Sequence, residues 1–172
     1  MLEGRLGLLV CVSVAMVGTS FAFVLRRTSS RTFTGMCAEE ARFGKFTLEP
    51  SQIFLQTKLT RAFVNLRPIV PGHVLVTPNR VVPRVADLSE AELTDLWQTV
   101  RKVQAALEPY YKASASNLAI QDGKGAGQSV PHVHVHVLPR VSGDFEENDE
   151  IYEELERCVW PEVTSDAHPI LS

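Results

Sequence analysis

The chain has 172 residues, of which 45% are hydrophobic and 22% charged, as expected for one globular domain with short appendages. Its formal net charge is −3, with a basic N-terminal stretch and an acidic remainder. Because nucleic acid needs a basic surface, we expect no nucleic-acid partner. The three cysteines have no metal-binding or redox spacing, and we interpret them as free thiols of a reducing compartment.

Residues 1–38 form an N-terminal extension that we place outside the fold. Residues 6–25 carry no charge and are followed by arginines among serines and threonines. Membrane contact by residues 6–25, as in a signal anchor, is the less favoured interpretation because this stretch is short and only moderately hydrophobic. The arginine-rich, acid-poor character favours targeting to a mitochondrion or plastid. The internal Met36 also allows translation to start just before the domain, in which case residues 1–35 are not made. For the domain itself we expect a cytoplasmic location.

Strands and one long helix alternate along the remainder of the chain. Runs rich in apolar and β-branched residues predict strands at 53–57, 60–66, 73–77, 117–121 and 132–138. Ser89 and Glu92 have the spacing of a capping box, and Pro109 marks the predicted end of the helix that follows. Apolar residues at helical spacing predict its core-facing stripe: Leu93, Leu96, Trp97, Val100, Val103 and Leu107.

These elements predict an α+β fold, an antiparallel sheet with one long helix packed on a face. A second, short helix is expected over residues 150–157. We assign residues 39–157 to this domain, and residues 158–172 to a short C-terminal tail that we interpret as mobile.

The last predicted strand carries three histidines at alternate positions, His132, His134 and His136. Alternation directs all three imidazoles to one face and the valines to the other. A polar strand face and a zinc site that includes His73 are the alternatives. The outer two histidines lie about 13 Å apart along an extended strand, too far to share one ion. We therefore expect no metal site and favour a row of imidazoles along an extended polyphosphate, since imidazole is reactive near neutral pH.

A glycine-rich loop, residues 121–131, precedes the histidine row. Such loops let backbone N–H groups approach phosphate oxygens closely. It is not a Walker A loop, because Gly127-Gln128-Ser129 lacks the Gly-Lys-Ser/Thr ending and is followed by a strand. By itself the loop is more typical of a plain hairpin turn, and its position next to the histidines is what favours phosphate binding.

The run from Gln121 to Arg140 resembles the signature of the histidine triad hydrolases. Further stretches around residues 65–68, 71–76, 87–88 and 143–155 resemble the fragile histidine triad branch. Members of that branch are homodimers that hydrolyse dinucleoside polyphosphates, typically diadenosine triphosphate to AMP and ADP, through a nucleotidyl-histidine intermediate. The resemblance implies the same for this chain. A phosphoramidase or nucleotidyl transferase of the same superfamily, and a nucleotide-sensing binding protein, are the alternatives.

The resemblance also implies residue roles. His134 would be the nucleophile, His132 would orient it through the backbone, and His136 and His73 would face the phosphates. Substrate-binding positions would be Phe46, Asn65, Gln121, Gly127, Gln128, Ser129, Val130 and His136. Phe46 stands where the family can carry a histidine, so it can stack on a base without hydrogen bonding to it, which leaves the nucleobase preference open.

Several of these positions also have plainer interpretations. His73 could be an ordinary strand histidine and Asn65 a turn residue. Tyr152 matches a family tyrosine in a loop tied to substrate handling, but it lies in an acidic segment typical of a solvated helix. No tightly bound cofactor is implied, and a divalent cation, Mg²⁺ or Mn²⁺, would accompany the substrate.

Overall fold

The computed structural model describes residues 40–160. Its strands are β1 (Arg42–Phe43), β2 (Phe46–Thr47), β3 (Ile53–Gln56), β4 (Thr60–Val64), β5 (Val74–Pro78), β6 (Ala115–Ala119) and β7 (Val135–Arg140). β1 and β2 form a small hairpin, and the other strands form one antiparallel sheet in the order β3-β4-β5-β7-β6. With a long helix α1 (Glu90–Tyr111) and a short helix α2 (Glu150–Arg157), this confirms the predicted α+β fold.

Helix α1 begins at the predicted capping box. The Ser89 hydroxyl accepts the Glu92 N–H and the Glu92 carboxylate accepts the Ser89 N–H, which satisfies two N–H groups at the helix start. The prediction that Pro109 ends the helix was wrong by two residues. Proline removes only one hydrogen bond in the last turn, and the helix closes at Lys112, which adopts a left-handed conformation with φ 55°.

The stripe on α1 packs on one face of the sheet. Leu96, Val100 and Val103 are buried against valines of β5 and β7. Leu93 and Trp97 were predicted to be core residues, but they are 36% and 43% exposed. They lie at the margin of the stripe, beyond the part of the helix that the sheet covers.

The opposite face of the sheet carries a second apolar cluster that includes Phe43, Phe63, Leu75, Val130 and Trp160. The valines at 133, 135 and 137 pack toward α1. Phe43 contacts the rings of the first two triad histidines, so these lie on the side of the second cluster. The alternation of residues 132–137 therefore places histidines and valines on opposite faces, as the sequence pattern predicts.

The strand that holds the histidines is shorter than predicted. β7 begins at Val135, so His132 and His134 precede it. The reason is the pairing: β5 pairs with β7 only from residue 135 onward, and the N–H of Val133 bonds instead to the carbonyl of Val82.

The described chain ends in packed structure. Trp160 is 7% exposed and belongs to the second cluster, although residue 158 was the predicted start of a mobile tail. Residues 1–39 and 161–172 lie outside the described residues, and these ranges include Cys11, Cys37 and the uncharged stretch 6–25. The predicted domain boundaries at residues 38 and 157 stay predictions. None of the helices within residues 40–160 is long and apolar enough to cross a membrane.

Candidate active site

Four histidines meet on the face of the sheet opposite α1. His73 directly precedes β5, His136 lies in β7, and the register pairs Leu75 with His136 across the two strands. The His73 Nε2 and His136 Nδ1 atoms are 2.9 Å apart, and the rings of His134 and His136 are 5.0 Å apart. All four side chains are buried, so the described site has little exposure to solvent.

Obligate backbone donors and acceptors fix the protons on His132 and His134. The N–H of Gly44 donates to His132 Nδ1 at 3.1 Å, so His132 carries its proton on Nε2 and donates it to the carbonyls of Pro78 and Arg80. The His132 carbonyl accepts from His134 Nδ1 at 2.7 Å. The proton of neutral His134 is therefore on Nδ1, and Nε2 keeps a lone pair for reaction.

A second chain of hydrogen bonds fixes His73 and His136. The N–H of Ile69 donates to His73 Nδ1 at 3.2 Å, which places the His73 proton on Nε2. That proton is donated to His136 Nδ1, and His136 must then carry its own proton on Nε2. The His136 Nε2 atom is buried and has no hydrogen-bond partner among the described residues. It is a donor prepared for an oxygen that residues 40–160 do not supply.

Burial keeps these imidazoles neutral. It is the main cause that lowers the pKa of His73 and of His132 to about 4 and that of His136 to about 2. Burial also lowers the pKa of His134, while the hydrogen bond to the His132 carbonyl partly opposes this effect. At neutral pH the site presents a free nitrogen base next to an N–H donor, the combination needed to attack an electrophile and support a departing oxygen.

The structure brings Asn65 to the cluster. Its side-chain nitrogen lies 3.3 Å from His73 Nδ1, and its side-chain oxygen accepts the N–H of Arg67. Gln121 is buried, donates to the carbonyl of Leu155 at 3.3 Å, and has no hydrogen-bond partner for its side-chain oxygen among the described residues. Both amides are therefore held by the protein, and the Gln121 side-chain oxygen is the polar atom of this pair left without a partner among the described residues.

The glycine-rich loop lies between Gln121 and the histidine row. A Cβ atom at Gly127, where φ is 84°, would lie 2.7 Å from the Gln121 side-chain nitrogen, so only glycine allows this packing. Gln128 donates its side-chain amide to the Pro83 carbonyl at 2.9 Å, Ser129 is exposed, and Val130 is buried in the second cluster. The Val130 side chain is thus a core group, which leaves its backbone for any role at the site.

Three aromatic residues lie on or near the elements that form the site, and one of them, Phe43, is not predicted from the sequence. Phe46 is half-buried at 6.4 Å from the Trp160 ring, and Tyr152 is 54% exposed on α2. Phe43 was not predicted at the site, yet its ring contacts His134 edge-on at 5.0 Å. Neither Phe43 nor Gly44 has a local signal for this role, because both reach the histidines across 88 residues or more of chain.

No three His, Cys, Asp or Glu side chains within residues 40–160 are grouped so as to hold a metal ion. The tautomers are consistent with this, because His73 Nδ1, His132 Nδ1 and His136 Nδ1 are already occupied as hydrogen-bond acceptors. The expectation of a metal-free site remains a prediction.

Comparison with known proteins agrees with the geometry. The HIT domain family matches residues 47–143. Bis(5'-nucleosyl)-tetraphosphatase [asymmetrical] of Schizosaccharomyces pombe is 61% identical over 115 residues, which cover 67% of this chain and 63% of that protein. Bifunctional bis(5'-adenosyl)-triphosphatase/adenylylsulfatase FHIT of Arabidopsis thaliana is 52% identical, with 73% of this chain and 69% of that protein covered. This chain thus spans less than two thirds of the yeast relative.

A solved structure shows the same fold. Diadenosine triphosphate hydrolase of Plasmodium falciparum, in complex with Cyclomarin A, aligns with a TM-score of 0.61 and 30% identity, covering 73% of this chain and 86% of that one. A buried histidine row on an antiparallel sheet defines a site of the histidine triad class. The chain belongs to the HIT domain family. Within it, the chain falls in the fragile histidine triad branch, which confirms the predicted resemblance.

Proposed function

We propose that this protein hydrolyses dinucleoside polyphosphates, with diadenosine triphosphate cleaved to AMP and ADP through a nucleotidyl group carried on His134. The observation that carries the proposal is the tautomer of His134, whose Nδ1 is tied to the His132 carbonyl while Nε2 keeps its lone pair. The names of the relatives, a tetraphosphatase and a triphosphatase that act on such nucleotides, support the same enzyme class, a hydrolase of phosphoric anhydrides.

The proposed reaction has two steps. The lone pair of His134 Nε2 attacks the α-phosphorus, the bond from phosphorus to the bridging oxygen breaks, and ADP departs with that oxygen. Water then attacks the same phosphorus and the phosphorus–nitrogen bond breaks. AMP is released, and the imidazole of His134 is regenerated. His136 Nε2–H is the proposed donor to the bridging oxygen, since it is a buried donor that has no acceptor in the described part of the chain.

The supporting roles follow from the contacts. His132 orients His134 through its carbonyl, and His73 orients His136 through the bond between their ring nitrogens. The glycine-rich loop, at Gly127, Gln128, Ser129 and Val130, is proposed to hold phosphate oxygens through its backbone and side-chain donors. The nucleoside is proposed to contact Asn65, Gln121 and Phe46. Tyr152, which lies on α2 and not in the loop that the family resemblance implied, is retained as a candidate residue near substrate.

Two further parts of the proposal concern partners. We propose a homodimer, supported by the position of β6 at the edge of the sheet, where Leu118 is 39% exposed and one side of the strand is open within the described sheet. Sedimentation velocity measures the oligomeric state.

A divalent cation, Mg²⁺ or Mn²⁺, is proposed to enter with the polyphosphate, whose charge it neutralises. No tightly bound cofactor is proposed.

The decisive experiment is His134→Asn. Turnover of diadenosine triphosphate should fall by about 10⁴-fold or more because the nucleophile is lost, while binding measured by calorimetry is retained. Lys102→Ala, an exposed change on α1, is the matched control and should keep wild-type turnover. Quenching the wild type with alkaline detergent, which preserves the acid-labile phosphorus–nitrogen bond, after mixing with substrate labelled at the α-phosphate should leave label on the protein, and His134→Asn should carry none.

Wild-type turnover by His134→Asn would refute the mechanism. The same assay with diadenosine tetraphosphate and an adenosine phosphoramidate, with and without chelator, separates the proposed hydrolase from a phosphoramidase. A protein that binds dinucleotides tightly without turning them over would instead be a sensor.

A further inference from the structure

The three residues proposed to hold the nucleoside already contact the chain's own C-terminal part. The Gln121 amide donates to the Leu155 carbonyl at 3.3 Å, and the Asn65 amide lies 3.4 Å from the Cys158 sulfur. The ring of Phe46 lies 6.4 Å from that of Trp160. All three partners belong to one stretch, residues 150–160, which is called the strap below.

Trp160 fills the apolar space beside the nucleophile. Its indole is 7% exposed and meets the rings of Phe43 and Phe63 edge-on, at 5.0 and 5.6 Å. The Phe43 ring in turn contacts His134 at 5.0 Å. A planar bicyclic aromatic group therefore stands one ring away from the nucleophile, and an indole is close to a purine in size, flatness and stacking behaviour.

The reactive side chains are largely covered in this conformation. His134 is 3% exposed, and the His136 Nε2 donor, which has no partner among the described residues, is buried. A substrate as large as a dinucleotide cannot reach the buried His136 Nε2 atom unless part of the surrounding structure moves. The sheet is held by a continuous ladder of hydrogen bonds, whereas the strap is a short helix with no side-chain cap followed by three residues without regular structure.

The attachment of the strap is limited. Ile151 and Leu155, spaced one turn apart on α2, pack against Val70 and Leu138. Beyond them the strap is held by the Gln121 and Cys158 contacts and by the Trp160 indole. Such an element can open without unfolding the sheet, because few buried apolar groups tie it down.

We propose that the strap is a built-in competitive inhibitor, in which Trp160 occupies the nucleobase position and must leave before the nucleotide binds. The inference rests on the proposed function, because it takes Asn65, Gln121 and Phe46 as the nucleoside site. When the strap is closed, the fraction of protein able to bind is reduced, and the apparent affinity for substrate falls by the same factor. Chemistry on bound substrate is unaffected.

Kinetics distinguish this role from a structural one. Trp160→Leu keeps an apolar side chain in the cluster but cannot mimic a base, so KM for diadenosine triphosphate should fall at least about threefold with kcat unchanged. Val100→Ala is the matched control, because it removes buried apolar volume under α1 and leaves the strap intact. An unchanged or higher KM in Trp160→Leu would overturn the inference, since a pocket wall that contacts the base, or a purely structural residue, gives that result.

Fluorescence tests the movement directly. The chain has two tryptophans, and Trp97 is exposed on α1, so Trp97→Phe leaves Trp160 as the only reporter without touching the site. In the full chain carrying Trp97→Phe and His134→Asn, diadenosine triphosphate should shift the Trp160 emission to longer wavelength and increase its quenching by iodide. Trp160 that stays shielded while calorimetry records bound nucleotide would overturn the strap and leave the proposed function standing. Absence of any nucleotide binding would overturn both.

Discussion

The burial of four imidazoles makes the stability of this protein sensitive to mild acid. The unfolded chain takes up protons on these histidines as the pH falls through 6.5, whereas in the fold the pKa of His73 and His132 is about 4 and that of His136 about 2. Falling pH therefore favours the unfolded chain, and the stabilisation present above pH 6.5 is progressively lost.

The magnitude follows from these pKa values. A histidine with a pKa of 6.5 unfolded and about 4 folded loses roughly 2 kcal/mol of stabilisation between pH 7 and pH 5. The three histidines together lose on the order of 5 kcal/mol, a large part of the roughly 5–15 kcal/mol by which a domain is stable. Glu92 contributes little, because its carboxyl is largely ionised above pH 5 even at its ordinary pKa of 4.5, and in the fold the hydrogen bond from Arg80 is the main cause that lowers the pKa to about 2.

Urea denaturation at pH 7, 6 and 5 measures the effect. The free energy of unfolding should fall along this series, and His132→Gln should remove roughly 2 kcal/mol of the total fall because one buried imidazole is gone. Val100→Ala should lower the free energy of unfolding equally at each pH, since it titrates nothing. A wild-type free energy of unfolding that agrees within about 1 kcal/mol at pH 7 and pH 5 would show that the histidines are not neutral in the fold, and would refute the reasoning.

Three further predictions concern the site and the extension. His73→Ala should lower kcat about tenfold or more with nucleotide binding retained, because His136 loses the donor that fixes its proton on Nε2; steady-state kinetics with unchanged kcat would contradict the relay. Purified protein should contain no stoichiometric zinc or iron by elemental analysis, and one tightly held metal per chain whose removal abolishes turnover would overturn the metal-free site. A chain beginning at Met36 should fold, dimerise and hydrolyse diadenosine triphosphate like the full chain, and loss of activity in that shorter chain would place the extension in the fold. Residues 1–38 fused to a fluorescent reporter should direct the reporter to an organelle, and a diffuse signal would exclude targeting.

Much of the fold is determined locally. The start of α1 follows from the capping box of Ser89 and Glu92, and the opposed valine and histidine faces follow from simple alternation. The family follows from a short motif around the triad. These features depend on neighbours within a few residues, which is why the sequence alone predicts them.

The ends of elements depended on distant partners instead. The predicted strand 132–138 lost its first residues because Val133 bonds to Val82 rather than to β5. Leu93 and Trp97 fit the helical stripe in spacing, yet the sheet does not extend far enough to cover them. Periodicity shows which face of an element is apolar, but not how much of that face another element covers.

The chemistry of the site was decided only by tertiary structure. Which ring nitrogen of each histidine carries the proton depends on the N–H groups of Gly44 and Ile69 and on one carbonyl, and two of these three groups lie far from the triad along the chain. The position of Trp160 beside Phe43 is likewise decided by tertiary packing, because the sequence from Trp160 onward shows no periodicity that would predict it. The sequence by itself determined which reactive groups are present; the packing of distant segments decided their protonation, their burial and what covers them, because those properties arise from contacts that no local pattern encodes.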